Sequence, residues 1–335
     1  MKTYQSDISN SWISFCTKVL SLLLVMSLGI STSSLAQKKE KINKKKKKKK
    51  MKKMKDLAPA KGYIEAHKDF KKPFDLLGGP IEVGITQESG GVFVILPSKR
   101  ELDKNSFGVP GLPRAYAGSP GINGVPPMGR EKKGGKYTTT KKKTPFGDKY
   151  TVMANGKLNI DALDKTATDA AKTEDKVKMS ASWQDKEGNT YKVVCCEKMA
   201  AHGMEFPTFG GVATNHILHG FTRIGTALMP SEYTYFAFWG MGAVMKNGEA
   251  TEKPRLVHGM LTEYVRGEDY KLVKDENVTP GRRHFHLMVA PMMPDMKKGT
   301  FTHKNVKTGF ELPNGMELPF WHVMFENLEI NGERQ

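Results

Sequence analysis

Apolar and polar residues alternate with a period of two along the C-terminal half of the chain. Because successive side chains of a strand face opposite sides, this alternation is typical of half-buried β-strands. The pattern predicts strands at Lys176–Gln184, Thr190–Cys196, Arg255–Tyr264, Arg283–Ala290 and Pro319–Ile330. A further run, Tyr233–Met241, is apolar at nearly every position and predicts a strand that is buried on both faces.

Turn sequences separate these strands. Asp185–Asn189, with Gly188 and Asn189 at its end, predicts a hairpin between the first two strands. Several short strands at this spacing are typical of all-β folds, so we expect a mainly β protein, an antiparallel β-sandwich or barrel with a long irregular N-terminal region. Helix is sparse, and Asp161–Thr173 is the best helical candidate.

The first 36 residues have the features of an export signal. Lys18 precedes the apolar run Val19–Ile30, and Ala36 ends a sequence that resembles a signal-peptidase site. The run contains 12 residues, whereas a transmembrane helix needs about 20. We therefore expect residues 1–36 to be a signal peptide and the mature chain to be periplasmic or secreted.

A lysine-rich tail follows at residues 37–60. Residues 38–55 contain 13 lysines and account for most of the formal net charge of +18. Like charges repel and nothing here can form a core, so we expect a disordered tail, with Lys44–Lys55 available to an anionic envelope surface. Positive charge at this place opposes translocation, which leaves a poorly exported or membrane-tethered chain as the alternative. The tail has no aromatic residues for base stacking, so we expect no specific nucleic-acid partner.

The remaining chain divides near residue 145. Within residues 61–145, two short β-runs, Ile81–Thr86 and Gly91–Leu96, predict a small hairpin, and a Gly- and Pro-rich linker follows from Phe107 to Gly135. Residues 146–335 hold the predicted β-sandwich domain. Its two cysteines, Cys195 and Cys196, are adjacent, which is compatible with one buried thiol, with a vicinal disulfide or with metal ligation.

A histidine is followed two residues later by a methionine four times: His202/Met204, His258/Met260, His286/Met288 and His322/Met324. With nine His and 19 Met in the chain, chance placement would give about half an instance. Residues i and i+2 of a strand share a face, so each pair would present an imidazole beside a thioether. Thioethers favour copper(I), and imidazole binds copper in either oxidation state. The plainer interpretation is a Met-rich core that also contains neutral histidines.

Three of the pairs lie on predicted strands whose opposite faces are apolar. On Arg283–Ala290, for example, Phe285, Leu287 and Val289 oppose the pair, and His284 joins its face. If these strands are neighbours, the three imidazoles and three thioethers converge. The candidate metal ligands are His258, Met260, His284, His286, Met288, Met296, His322 and Met324.

The segment Leu312–Ile330, in which a Pro/Gly turn and a strand lead into His322 and Met324, resembles the C-terminal part of periplasmic copper chaperones of the PCuAC type. The resemblance covers about the last 50 residues, and the intervals between the ligands differ by a few residues from those of the family. It implies a cupredoxin-like β-sandwich with four copper ligands: His286, Met296, His322 and Met324.

These patterns favour an exported, non-catalytic protein that carries or sequesters copper. The first alternative is a metal-free β-sandwich of the cell envelope that binds glycan or protein, with Tyr233, Tyr235, Trp239 and Trp321 as candidate sugar-stacking residues. The second is a copper oxidoreductase in which His258, His284 and His286 are ligands.

Overall fold

We analysed a computed structural model of the chain, which divides into two compact units, residues 1–56 and 57–335. The structure describes residues 40–46, 63–70, 81–101, 130–134, 136–147, 149–165, 174–199, 211–222, 225–226, 228–295 and 300–334. The predicted signal peptide and His202/Met204 lie outside these residues, as does Met296. Within the described parts of the chain, no helix has the length and hydropathy that a membrane crossing requires.

In the first unit, residues 40–46 are helical and exposed, and the rest of the predicted disordered tail, residues 37–39 and 47–60, lies outside the described residues. The Nζ of Lys44 lies 2.6 Å from a carboxylate oxygen of Glu40, one helical turn away. Such a pair supports a helix weakly, because both side chains are exposed to solvent.

The second unit is mainly β. Its strands are β1 Ile81–Gln87, β2 Val92–Ile95, β3 Arg130–Lys133, β4 Lys136–Thr140, β5 Thr151–Asp164, β6 Lys176–Gln184, β7 Thr190–Met199, β8 Val212–Leu218, β9 Glu232–Lys246, β10 Glu249–Tyr264, β11 Thr279–Val289, β12 Met292–Asp295, β13 Thr300–His303, β14 Trp321–Phe325, β15 Glu329–Ile330 and β16 Glu333–Arg334. Short 3₁₀ turns occur at Gly220–Thr222 and Asp275–Asn277, and residues 63–66 form one helical turn.

Eight of these strands close into an antiparallel barrel in the order β5-β6-β7-β9-β10-β11-β14-β2, with β2 pairing back to β5. The prediction of a mainly β, antiparallel fold is therefore confirmed, and its closed form is the barrel. β8 pairs with β9, and β1 and β15 extend the sheet beside β5. Most barrel strands follow one another in sequence because tight turns join them, as at Asn247 and Gly248, whose φ angles of 51° and 87° suit a two-residue hairpin turn.

The predicted hairpin between β1 and β2 is wrong. Both strands pair with the same edge of β5 in almost the same register, since Gln87 pairs with Leu158 and Val92 with Ala154. The chain therefore continues in one direction through residues 88–91. Asn155 stabilises this interruption, because its Oδ1 accepts a 2.6 Å hydrogen bond from the backbone N–H of Gly90. β1 and β2 thus belong to the same sheet as the strands of residues 146–335, whereas the sequence predicts a boundary between them near residue 145.

The predicted helix at Asp161–Thr173 is also not formed where the structure describes it. Residues 161–164 are the end of β5 and pair with β1 on one edge, and residues 161–163 also pair with β6 on the other. Pairing on both edges outweighs local helix propensity. The other predicted strands are confirmed, with Lys176–Gln184 matching β6 at both ends. Pro319–Ile330 is divided into β14 and β15.

The barrel interior is a single apolar cluster to which β10, β11 and β14 contribute their predicted apolar faces. Their buried interior residues are Val257, Leu261, Phe285, Leu287, Val289, Trp321, Val323 and Phe325. The other face of these three strands points away from the interior and is called the outer face below. Segments from elsewhere in the chain cover it, and a second buried cluster that includes Phe146, Leu228 and Leu272 lies there.

Candidate metal site

The three described His-x-Met pairs lie on adjacent strands, because β10, β11 and β14 are neighbours in that order. Because neighbouring strands are antiparallel, the histidine of one pair lies directly opposite the methionine of the pair on the next strand. His258 pairs with Met288 and Met288 with His322, while Met260 pairs with His286 and His286 with Met324. Directly opposed residues on one face have Cβ atoms within about 5.5 Å. The predicted convergence of these three strands is therefore found.

A small cavity of about 20 Å³ lies on this outer face. It is lined by Phe146, His219, Met229, His258, Met260, His286, Met288 and His322. This volume holds about one water molecule or one ion. Five of the eight candidate ligands line it: His258, Met260, His286, Met288 and His322.

Two other candidates lie beside the cavity without lining it. Met324 is fully buried but packs with Phe93 and Ile95 in a separate cluster. His284 lies behind His286, and the Nε2 atoms of the two rings are 2.8 Å apart. The ligand set implied by the copper-chaperone resemblance is therefore not brought together as a whole, since Met324 faces another cluster and Met296 is outside the described residues.

The segments that cover the outer face supply the cavity residues that sequence patterns did not select. Phe146 precedes β5, and His219 and Met229 lie between β8 and β9. His216, three residues before His219, lies in β8 and pairs with Thr234, so the two histidines do not share a helical turn. Nothing in the local sequence marks Phe146 or Met229.

Backbone carbonyls fix the orientation of two imidazoles. His258 Nδ1 lies 2.7 Å from the carbonyl oxygen of Phe238, and His322 Nδ1 lies 2.6 Å from that of Pro145. A carbonyl can only accept, so each Nδ1 carries the hydrogen and each neutral Nε2 carries a lone pair. Metal-binding histidines are commonly held by such a hydrogen bond from the other ring nitrogen.

His219 has the opposite tautomer. The backbone N–H of Thr226 donates to its Nδ1 at 3.0 Å, so the neutral ring carries its hydrogen on Nε2, which lies 3.4 Å from Oε1 of the buried Glu232. His219 therefore closes the cavity without a free lone pair on Nε2. The ring of His258 is also held by stacking: the indole of Trp239 lies on it with ring centroids 4.1 Å apart and an interplanar angle of 13°.

Burial keeps these imidazoles neutral. Desolvation lowers the pKa of His258 to about 4, and it lowers the pKa of His219 and of His322 to about 3. The pKa values of His284 and His286 are also well below their usual range, because both rings are buried. Neutral imidazole is the form that binds a metal ion, so these rings need no deprotonation near neutral pH.

Cys195 and Cys196 are bonded to each other as a vicinal disulfide. They lie against Gly240 of β9, where an added Cβ would come within 2.4 Å of Cys196 Sγ and 3.0 Å of Cys195 Sγ. Cys195 belongs to the interior cluster, on the other side of the sheet from the cavity.

The four aromatic residues considered for sugar stacking are all buried. Tyr233, Tyr235, Trp239 and Trp321 are each at most 4% exposed. A sugar ring needs an open aromatic face, so the structure contradicts this set as a glycan surface.

Within the described residues, no group of three or more His, Cys, Asp or Glu side chains is arranged to hold a metal ion. The cavity residues instead combine imidazoles with thioethers, so any ion there would need sulfur ligands. No protein family matches this sequence, and neither a curated protein nor a solved structure shows significant similarity to it. The resemblance to copper chaperones thus stays a prediction.

Proposed function

We propose that this protein binds one copper(I) ion in the outer-face cavity and carries or sequesters it after export from the cytoplasm. The observation that carries the proposal is the crossed register that brings the pairs His258/Met260 and His286/Met288, together with His322, around a cavity of about 20 Å³, which is room for one ion. The ion would be cargo rather than a catalytic centre.

The donor chemistry supports a soft ion. The cavity is lined by His258 and His322, whose Nε2 atoms carry the lone pairs, and by the thioether residues Met260 and Met288. Thioether sulfur and neutral imidazole together suit copper(I), whereas carboxylates and water suit harder ions. The carbonyls of Phe238 and Pro145 hold both rings in the ligating tautomer before an ion arrives, which lowers the cost of ordering the site.

The competing interpretation is a buried polar network without an ion. The hydrogen bond between His286 Nδ1 and His322 Nε2, at 3.1 Å, favours it, because these two rings satisfy each other. On this interpretation the protein is a metal-free envelope module, and the His-x-Met pairs only fill space beneath the covering segments.

The two interpretations differ in copper affinity. The chain without residues 1–36 would be titrated with copper(I) under reducing conditions against a chromophoric chelator. We expect one equivalent to bind more tightly than micromolar. His322→Ala removes one ligand and should weaken binding at least about tenfold, or about 1.4 kcal/mol.

His303→Ala is the matched control, because His303 is exposed in β13 and takes no part in the cavity. It should leave the affinity unchanged. Circular dichroism melts of both variants separate ligand loss from unfolding. A wild-type affinity weaker than micromolar would exclude the proposal and leave the metal-free module.

A further inference from the structure

Three buried imidazoles form a row on the outer face, called the imidazole row here: His284, His286 and His322. Nε2 of His284 lies 2.8 Å from Nε2 of His286, and Nδ1 of His286 lies 3.1 Å from Nε2 of His322. At the far end, Nδ1 of His322 faces the Pro145 carbonyl at 2.6 Å. The row is thus a continuous chain of nitrogen contacts that begins at a backbone oxygen.

The Pro145 carbonyl sets the direction of every hydrogen bond in the row. It requires a hydrogen on Nδ1 of His322, so the neutral ring has its lone pair on Nε2. That lone pair accepts the Nδ1–H of His286, whose own Nε2 must then accept the Nε2–H of His284. Each ring carries one hydrogen, and the ion-free arrangement has a single self-consistent assignment.

This assignment conflicts with ion binding at one atom. The lone pair of His322 Nε2 is already used by the Nδ1–H of His286, yet it is also the one an ion in the cavity would take. Binding must therefore break this hydrogen bond, and it would leave the Nδ1–H of His286 facing a cation. Rotation of the ring is hindered, because His286 is buried between two strands.

His284, at the other end of the row, can accommodate this change. Nδ1 of His284 is buried and makes no hydrogen bond of normal geometry with a described residue. The backbone of Glu263 acts on this ring as a hydrogen-bond acceptor and raises the pKa of His284 against the effect of burial. Because Nε2 of His284 contacts His286, a hydrogen on Nδ1 is the one that this acceptor would meet.

We propose that His284 is a positioning residue that lets His286 become a copper ligand by a paired change of tautomer. When the ion binds His322 Nε2, His286 loses the hydrogen on Nδ1 and gains one on Nε2, while His284 loses the hydrogen on Nε2 and gains one on Nδ1. The three rings keep three hydrogens in total, so no proton is released. This inference rests on the proposed copper site.

The spacing suits such a change without movement of the backbone. Two nitrogens bound to one metal at about 2.0–2.1 Å, with an angle of 90–110° between them, lie roughly 2.9–3.4 Å apart. The His286 Nδ1 and His322 Nε2 atoms are 3.1 Å apart. After the change, the Nε2–H of His286 donates to the bare Nε2 of His284, which preserves their 2.8 Å contact.

The test reads the tautomers directly. Imidazole nitrogen-15 spectra of the mature protein would be recorded alone and with one equivalent of silver(I), a diamagnetic monovalent ion with similar ligand preferences. Without the ion we expect hydrogens on Nδ1 of His286 and Nε2 of His284; with silver(I) both rings should show the other nitrogen protonated. Titration in weak buffer should show no proton release.

Each outcome decides one of the two proposals. Silver(I) binding with unchanged His284 and His286 tautomers would overturn this inference and leave the copper site intact. No binding of silver(I) or copper(I) would overturn both. His284→Phe keeps a ring but removes the relay, and should weaken affinity about 10- to 100-fold, as loss of outer hydrogen-bonding partners commonly does.

Tyr264→Phe is the control for that variant. Its ring packs on His284 at 4.8 Å, and its hydroxyl donates to Glu326 rather than to the imidazole row. It should leave both the affinity and the tautomer change intact. If His284→Phe does not fold, the wild-type spectra still decide the question.

Discussion

The two faces of β10, β11 and β14 differ in composition and in what buries them, although they belong to the same strands. The interior face is apolar and packs into one cluster with the other barrel strands. The outer face carries the histidines and methionines and is buried only because separate segments cover it. Apolar burial drives folding, whereas buried polar groups cost free energy unless they are paired. The interior face therefore stabilises the barrel, and the outer face is where the binding role is proposed.

The largest expected difference between the faces is their response to acid. The outer face and the segments that cover it bury five neutral imidazoles: His219, His258, His284, His286 and His322. Burial lowers their pKa values, for instance to about 4 for His258 and about 3 for His322. In the unfolded chain the same rings titrate near 6.5. The unfolded state therefore binds more protons below that pH, and stability falls as pH falls from about 6.5 toward the folded values.

Each such ring contributes up to about 1.4 kcal/mol of lost stability per pH unit in that range. We expect these groups to leave the free energy of unfolding of the metal-free protein, measured with urea, constant above pH 7. Between about pH 6.5 and 5 the free energy of unfolding should fall steeply. His303→Ala removes an exposed histidine and should keep the slope. A stability that does not change across this range would mean that the outer face opens without unfolding of the barrel.

Truncation on the interior face is the next largest effect. Phe285 is fully buried and lies between His284 and His286 on β11, but it points into the interior cluster. Phe285→Ala should cost about 3–5 kcal/mol, because it leaves a cavity in a close-packed core. Copper stoichiometry should stay at one where the variant is folded.

Met153→Ala is the control for this truncation, since Met153 is 71% exposed and surface changes usually alter stability by less than about 0.5 kcal/mol. Urea titrations of the two variants measure the difference. Equal and small losses would indicate that the interior face does not carry the stability of the barrel.

Local sequence predicted the strands of the barrel well, because alternation and turn chemistry are local properties. β6 was predicted at both ends, and the apolar faces of β10, β11 and β14 are the interior faces. The direction that the chain takes after a turn was harder to predict. Gln87–Gly90 has hairpin-like residues, yet the chain continues along the edge of β5, where Gln87 pairs with Leu158 and Val92 with Ala154. Nothing local encodes that pairing.

As with the fold, the local features of the candidate site could be predicted from the sequence and the non-local ones could not. The face shared by a histidine and its methionine follows from the strand period, and five of the selected residues line the cavity. The neighbourhood and register of three strands are non-local, and so are the covering residues Phe146, His219 and Met229. Met324 shows the limit of the pattern, since it follows the same spacing as Met288 but packs with Phe93 and Ile95.

That contrast gives the prediction with the smallest effect on stability. Met288→Leu and Met324→Leu each replace a thioether with an alkyl group of similar volume at a buried position, so each should cost less than about 1.5 kcal/mol. Copper(I) affinity should separate them. Met288 lines the cavity, and its variant should bind at least about tenfold more weakly. Met324→Leu should bind like the wild type. The reverse result would place the ion one register row away, beside His286 and Met324, where the copper-chaperone resemblance implies it.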